Sequence, residues 1–567
     1  MKPSLLAYMT VLLLAACHAS PPSAELVLLN GKIITLEETQ PEVEALAAAG
    51  DTILALGKND EIRKFIGART RVIDLQGKFA MPGFIEGHAH LVGLGQAQTI
   101  LKLSRVKDWQ EVAEMVKAAA EKLPAGTWII GRGWHQEKFE RMPEPNVDGY
   151  PTHDLISAVS PNHPVLLRHA SGHLLFANKK AMELARISKE TPSPVGGTIW
   201  RDRNGNAIGI FQETAQSLIE QAYQADLARR TPAEIDSAER QAIRLAIAEA
   251  LSKGVTSFQD AGSSFETIDR LKDMADKGEL PIRLWVMVSA RETKLAERLP
   301  QYRLIGYAKH HLTVRAIKEY MDGALGSHGA WLLQPYSDLP SSTGQAVRSI
   351  EEIRATAALA LKNGFQLCTH AIGDRANREV LNIYEQTFGQ NGQNLRWRIE
   401  HAQHLDEADI PRFAKLGVIA SMQAVHATSD APFVLKRLSE LRAQAGAYVW
   451  KKLLQTGAVV SNGTDAPVED INPIACFYAA VTRKLKDGSV FFGDQAMTRL
   501  EALRSYTLAP AYAAFEEHLK GSLKVGKLAD VVVLSKNLLT IPDEEILSTK
   551  VLCTIVGGKV VYENGLQ

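Results

Sequence analysis

Short apolar, β-branched runs alternate with longer stretches of helical period through the middle of this chain. Eight runs read as strands: GFIEGH ending at His88, VTSFQD at Asp260, RLWVMV at Val288, TVRAIK at Lys318, FQLCTH at His370, RWRIEH at His401, VIASMQ at Gln423 and VVSNGT at Thr464. Turn residues and a helical pattern follow each run. Eight βα units in series predict an α/β fold, a (β/α)8 TIM barrel over residues 81–514. One helix start is explicit: Thr231-Pro232-Ala233-Glu234 is a capping box with Pro at the first helical position, and Gly254 ends that helix just before the second strand.

The two ends of the chain have a different texture. LVLLNGKIITL, TILALG and RVIDLQGK near the start, and LADVVVLSK and VLCTIVGGKVVYENG near the finish, are short alternating strands. Residues 25–80 and 515–567 are therefore expected to build one composite β domain. Between the first and second barrel strands the connection is far longer than an ordinary βα loop. It carries TWIIGRGW, PVLLRHASGH and TIWRDRNGNAIGI, with Asn204-Gly205 as a hairpin turn. Residues 95–230 are expected to form an inserted subdomain overhanging the C-terminal mouth of the barrel.

At 567 residues the chain is too long for one core. Its 46% hydrophobic and 23% charged residues with a formal net charge of zero are ordinary for a globular protein. No basic stripe argues for nucleic acid, so a small-molecule substrate is the expected partner, with a homodimer left open. The N-terminus reads as a targeting segment. Lys2 precedes an apolar stretch from Leu5 to Leu14 that is too short to span a bilayer, and Leu14-Ala15-Ala16-Cys17 resembles a bacterial lipobox. Residues 1–16 are expected to be a lipoprotein signal peptide, Cys17 the lipidation site and residues 17–24 a tether. The competing reading is a plain signal peptide with an incidental cysteine. Lipidation would make this an exported bacterial lipoprotein, periplasm-facing or on the cell surface, touching the membrane through its lipid anchor only. Cys368, Cys476 and Cys553 are odd in number and widely spaced, which argues for buried free thiols. Cys368 lies two residues before His370, yet core packing is its favoured role.

Six residues carry the chemistry. His88 and His90 are two apart, so both imidazoles share a strand face at the barrel mouth. Lys318, His370 and His401 close the fourth, fifth and sixth strands, and Asp465 follows the eighth. Ligands from the ends of separate strands are what TIM-barrel active sites use. Together they are the parts of a two-metal hydrolytic centre, and their imidazoles favour zinc, manganese or iron, zinc first. Lys318 should point into the barrel, where desolvation and nearby cations depress an amine from its usual pKa of about 10.4. A neutral amine there can take up CO2 and become a carbamate that bridges two metals. The alternative is a lysine that reaches out to Glu319 or Asp322. A hydroxide between two metals is a nucleophile at neutral pH, and Asp465 can accept its proton and pass it on to the leaving group.

PGFIEGHAH, IKEYMDGALGS, HAIGDRA, RIEHAQ, SNGTDAPVE and EALRSYT, with the terminal GKLADVVVL and TIVGGKVVYE, resemble the YtcJ-like branch of the metal-dependent amidohydrolase superfamily, amidohydrolase family 3. The resemblance covers essentially the whole mature chain. It implies a TIM barrel with a small β-sandwich from both termini, zinc at a mono- or binuclear site, and hydrolysis of non-peptide C–N bonds. N-substituted formamide deformylase is one such relative. It also implies that His88, His90 and Asp465 hold one metal and His370 and His401 the second, bridged by carboxylated Lys318. The chain departs from the family at His135 after GRGW, at Ser171-Gly172-His173 and at His328 after GS. These positions, with Trp134, are candidate substrate contacts, although core packing is the favoured reading of Trp134. Arg398 reads as ion-pair scaffolding, and Asp374 and Arg375 as braces for the loop after His370. The same centre could serve a lactonase or phosphotriesterase, and a non-catalytic binding lipoprotein is the reading from another class.

Overall fold

The computed structural model describes residues 23–103, 105–136, 139–169, 174–194, 197–326, 328–389 and 392–566. Cys17, with the expected signal peptide and most of the tether, lies outside the described residues, as does His173. The chain divides into two compact units.

The first unit takes in the described residues up to Ile85, the short stretch Gly254–Thr256 and Met497 onward, so both chain ends enter it. It also reaches beyond the expected β-rich ends, to Ile85 on one side and back to Met497 on the other. A four-stranded sheet runs in the order Thr52–Gly57, Ala45–Ala49, Leu26–Leu29 and Arg71–Asp74. A six-stranded sheet pairs the C-terminal strand Val531–Leu534 antiparallel with Phe79–Pro82. Leu26, Leu28 and Leu46 of one sheet share a core with Ile33, Ala80, Val531, Val533 and Ile555 of the other. That alternation of inward positions is what the period-two pattern at both termini demands.

The second unit holds the barrel and the insert. We label the barrel strands β1 Phe84–Ala89, β2 Val255–Ser263, β3 Arg283–Val288, β4 Leu312–Tyr320, β5 Gln366–Ala371, β6 Arg398–His401, β7 Ile419–Met422 and β8 Val460–Asn462. They follow one another in sheet order as a nearly closed parallel barrel, each strand overlapping one of the eight predicted runs. Registers Lys318↔Cys368 and Ala371↔His401 bring the strand ends to one level. Where β8 meets β1 the backbones approach closely: a Cβ on Gly87 would lie 2.3 Å from the Asn462 carbonyl oxygen, so only glycine fits there. The chain beyond β8 continues the contact, with Asp465 N–H donating to the His88 carbonyl at 2.7 Å.

The capping box at Thr231 forms as predicted. Its hydroxyl accepts from Glu234 N–H at 3.3 Å while Glu234 accepts from Thr231 N–H at 2.8 Å, and the helix runs Pro232–Ser252. The insert builds its own six-stranded sheet, from Leu101–Lys102 to Gly197–Arg201. Alternate residues on its strands serve two cores, Leu167, Phe176 and Ile210 facing one and Leu166, Leu175 and Phe211 the other. Asp202 accepts from Asn204 N–H and Asn206 N–H at 2.8 Å each, which shapes the predicted hairpin turn. Among the described residues no helix is long and apolar enough to cross a membrane.

Candidate metal centre

Strand alternation on β1 turns Glu86 and His88 to one face, and His90 follows just past the strand. Glu86 is fully buried and accepts from Thr464 N–H at 2.7 Å, Thr464 O–H at 3.0 Å and His88 N–H at 3.1 Å. Burial pushes its carboxyl up to about 8, against the pull of those hydrogen bonds. Glu86 thus fastens the turn that carries Asp465. His88 is fully buried, and its Nδ1 pairs with Glu400. Burial, with the Lys318 charge, pulls the imidazole down to about 4, so it is neutral and offers Nε2 as a lone pair. That Nε2 lies 3.4 Å from Lys318 Nζ and 3.6 Å from Asp465 Oδ1, and His90 Nε2 lies 3.1 Å from the same oxygen.

Glu400 is held by a buried guanidinium. Arg398 donates to its two oxygens at 2.7 and 3.0 Å, and also to the Gly87 carbonyl, Ser421 and Gln259. Burial opposes ionisation of Glu400, yet the Arg398 charge and the hydrogen bond to His88 keep its carboxyl well below the usual range. Asp465 behaves similarly: burial raises it, but His90, His401 and His88 hold it far below an ordinary aspartate. His401 and Asp465 both sit at positive φ, 75° and 59°, a strained backbone of the kind that concentrates at functional sites.

His401 turns Nδ1 to Gln423 Oε1 at 2.8 Å, and its ring lies 4.8 Å from that of His88 and 4.5 Å from that of His370. His370 Nε2 is 3.6 Å from Asp322 Oδ1, and burial keeps both rings neutral. Lys318 is 2% exposed, with Nζ 5.1 Å from the Tyr320 ring centre. Burial pushes its ammonium down, against the attraction of Glu400 and Asp465. It does not reach out to either predicted alternative partner. Glu319 pairs with Arg348 at 3.0 Å, and Asp322 accepts three backbone N–H groups, from Ile372, Gly373 and Trp331.

Among the described residues two sets of donor atoms converge within 4.8 Å: His88, His90 and Asp465, and His401, His426 and Asp465. His370 joins neither set, although its ring touches that of His401. His426 was not read from the sequence, because it lies in a helix, Ala424–Leu438, and not at a strand end. Its one signal is position, in the first turn after β7. His370 Nε2 and His426 Nε2 are buried without hydrogen-bond partners among the described residues. Imidazoles, a carboxylate and buried ring nitrogens without partners fit a divalent transition metal, and fit calcium or magnesium poorly.

The second-tier candidates scatter. Trp134 is fully buried in the insert core, packs on Trp109 and donates to the Leu167 carbonyl at 3.0 Å; it is a core residue, which corrects its reading as a substrate contact. The His135 ring lies 4.4 Å from that of His169 within the insert, tilted by 50°. His328 pairs with Asp338 at 3.1 Å, and Asp338 also pairs with Arg437. Arg398 is scaffolding as expected. Asp374 accepts from Leu333 N–H at 2.8 Å and Arg375 covers Trp331, bracing the loop after His370. Cys368, Cys476 and Cys553 are buried free thiols; Cys368 belongs to neither donor set, and burial pushes its thiol up.

The sequence profile of the amidohydrolase family matches residues 71–562. The chain belongs to the amidohydrolase family. This amidohydrolase is 33% identical to Protein LONG AFTER FAR-RED 3 of Arabidopsis thaliana, over 96% of the chain and 93% of that protein. It is 30% identical to the putative amidohydrolase YtcJ of Bacillus subtilis, over 94% of the chain and 98% of YtcJ. With N-substituted formamide deformylase of Arthrobacter pascens it shares 27% identity over 95% of the chain and 98% of that enzyme. An uncharacterized metal-dependent hydrolase from Pyrococcus furiosus superposes with a TM-score of 0.72 at 27% identity, covering 91% of this chain and all of the other. The amidohydrolase is thus a TIM-barrel protein of the metal-dependent hydrolase class.

Proposed function

We propose that this amidohydrolase cleaves a non-peptide, amide-type C–N bond of a small molecule at the centre built around Asp465. The observation that carries this is the sharing of one buried carboxylate, Asp465, between two sets of imidazole donors, His88 with His90 and His401 with His426. In this reading His88, His90 and Asp465 hold one zinc-like ion and His370 and His401 contribute to a second. Lys318 joins them after its neutral amine adds to CO2, forming an N–C bond and releasing a proton to give an anionic carbamate. A divalent metal bound here supplies Lewis acidity and lowers the pKa of water from 15.7 to about 7.

The chain's own groups do the rest. Asp465, kept ionised by the imidazoles around it, is ready to take a proton from the attacking water. Water oxygen bonds to the carbonyl carbon, the C–N bond breaks, and Asp465 returns the proton to the departing nitrogen. Glu400 orients His88, and Gln423 orients His401, so that each presents Nε2 inward. The Arthrobacter relative, N-substituted formamide deformylase, supports an amide-type bond. We also propose export and lipidation at Cys17, on the sequence of the leader alone.

The test is a screen of zinc-loaded full-length enzyme against N-formyl amines, N-acyl amino acids and hydantoins, beside lactones and phosphotriesters. Turnover in the first group, lost on chelation and restored by zinc, is expected. Turnover confined to the esters, or a metal-free protein indifferent to chelators, would sink the reading.

A further inference from the structure

His426 faces the same centre from a different element. Its helix, Ala424–Leu438, starts directly after β7, where Ala424 N–H donates to Asn462 Oδ1 at 2.8 Å. That bond ties the first helical turn to the end of β8 and sets His426 inward. The residue is 7% exposed, and its Nε2 has no hydrogen-bond partner among the described residues. A ring nitrogen buried beside other donors with nothing to bind is costly unless something fills the gap. The His426 ring lies 6.4 Å from that of His401 and nearly parallel to it, at 17°. The donor atoms of His426, His401 and Asp465 lie within 4.8 Å of one another.

One helical turn along, Asp430 shares the His426 face. Its carboxylate accepts from Tyr448 O–H at 2.5 Å and Gln403 N–H at 3.2 Å, so it is fixed in place. Its fixed negative charge lies on the side of the helix that carries His426.

We propose that His426 is a ligand of a divalent transition metal ion held jointly with His401 and Asp465, so that Asp465 serves both donor sets. This rests on the metal-dependent reading above. It adds His426 to the residues that would hold the second ion, beside His401.

The experiment strips the full-length protein with a chelator and titrates it with Co2+, following the visible absorption and the bound metal per chain. Wild type is expected to take two ions. His426→Gln should keep the first and bind the second at least tenfold more weakly, with a changed cobalt spectrum. His426→Cys should gain a thiolate-to-cobalt charge-transfer band, a positive signal that a merely destabilised protein cannot produce. If His426→Gln binds cobalt as wild type does, or if folded His426→Cys shows no such band, His426 is not a ligand. Wild type that takes up no metal would overturn the metal reading itself, whatever the variants do.

Discussion

Arg398 and Glu400, two residues apart on β6, form an ion pair wholly inside the barrel, and Glu400 passes it on to His88 Nδ1. The chain guanidinium–carboxylate–imidazole fixes which nitrogen of His88 carries the proton. Glu400→Gln keeps the shape and removes the charge. It should weaken metal binding by about 10- to 100-fold, the usual effect of losing an outer partner of a ligand histidine. It also leaves Arg398 buried and uncompensated, which should cost about 3–5 kcal/mol of stability. Chelator competition and thermal melts measure the two effects; unchanged metal affinity in the variant would show that Glu400 does not position His88.

Lys318 is buried, and burial pushes its amine toward the neutral form that reacts with CO2. Lys318→Ala should lose an ion from the loaded protein and lose hydrolysis with it. Added acetate or propionate should restore part of both, by standing in for the carbamate. Metal analysis with and without the acid decides the matter. A variant that keeps its full metal content would remove the carbamate.

The eight barrel strands were legible because strands buried on both faces are short, β-branched runs bounded by turns. His88 and His90 were legible because spacing two means one face. Glu86, Asp322 and Glu400 were not. Each is an ordinary acidic residue within or beside an apolar run, and nothing local tells that a barrel interior turns polar near its mouth. His426 escaped for another reason: a histidine in a helix resembles any other until β8 is placed beside it. Trp134 had two readings in sequence, and only the insert's packing chose the core.

Cys17 and its flanks, Leu14-Ala15-Ala16 before and Pro21-Pro22-Ser23 after, make the case for a lipid anchor. One acyl signal binds membranes weakly, whereas a multiply acylated cysteine binds stably. Cys17→Ser should therefore shift the protein from the membrane fraction to the soluble fraction of the cell envelope. Immunoblots of the separated fractions are sufficient. Membrane fractionation unchanged by the substitution would refute the anchor.

His404 lies three residues beyond His401, packed edge-on against Tyr448 at 5.5 Å, with neither ring nitrogen hydrogen-bonded. Burial, helped by the Arg442 charge, pulls its imidazole down to about 3, from about 6.5 in the unfolded chain. The folded state therefore resists a proton that the unfolded state accepts. By linkage, His404 adds no penalty above about pH 6.5, and stability falls as pH drops from there toward 3, where the folded protein would begin to protonate it. His404→Leu keeps an apolar side chain of similar size and removes the titration. Its melting temperature should fall less steeply than that of wild type between about pH 6.5 and 4. Differential scanning calorimetry of both proteins across that range makes the comparison. Parallel slopes would mean that His404 finds a proton or a partner in the folded state, and that its burial does not contribute to acid lability.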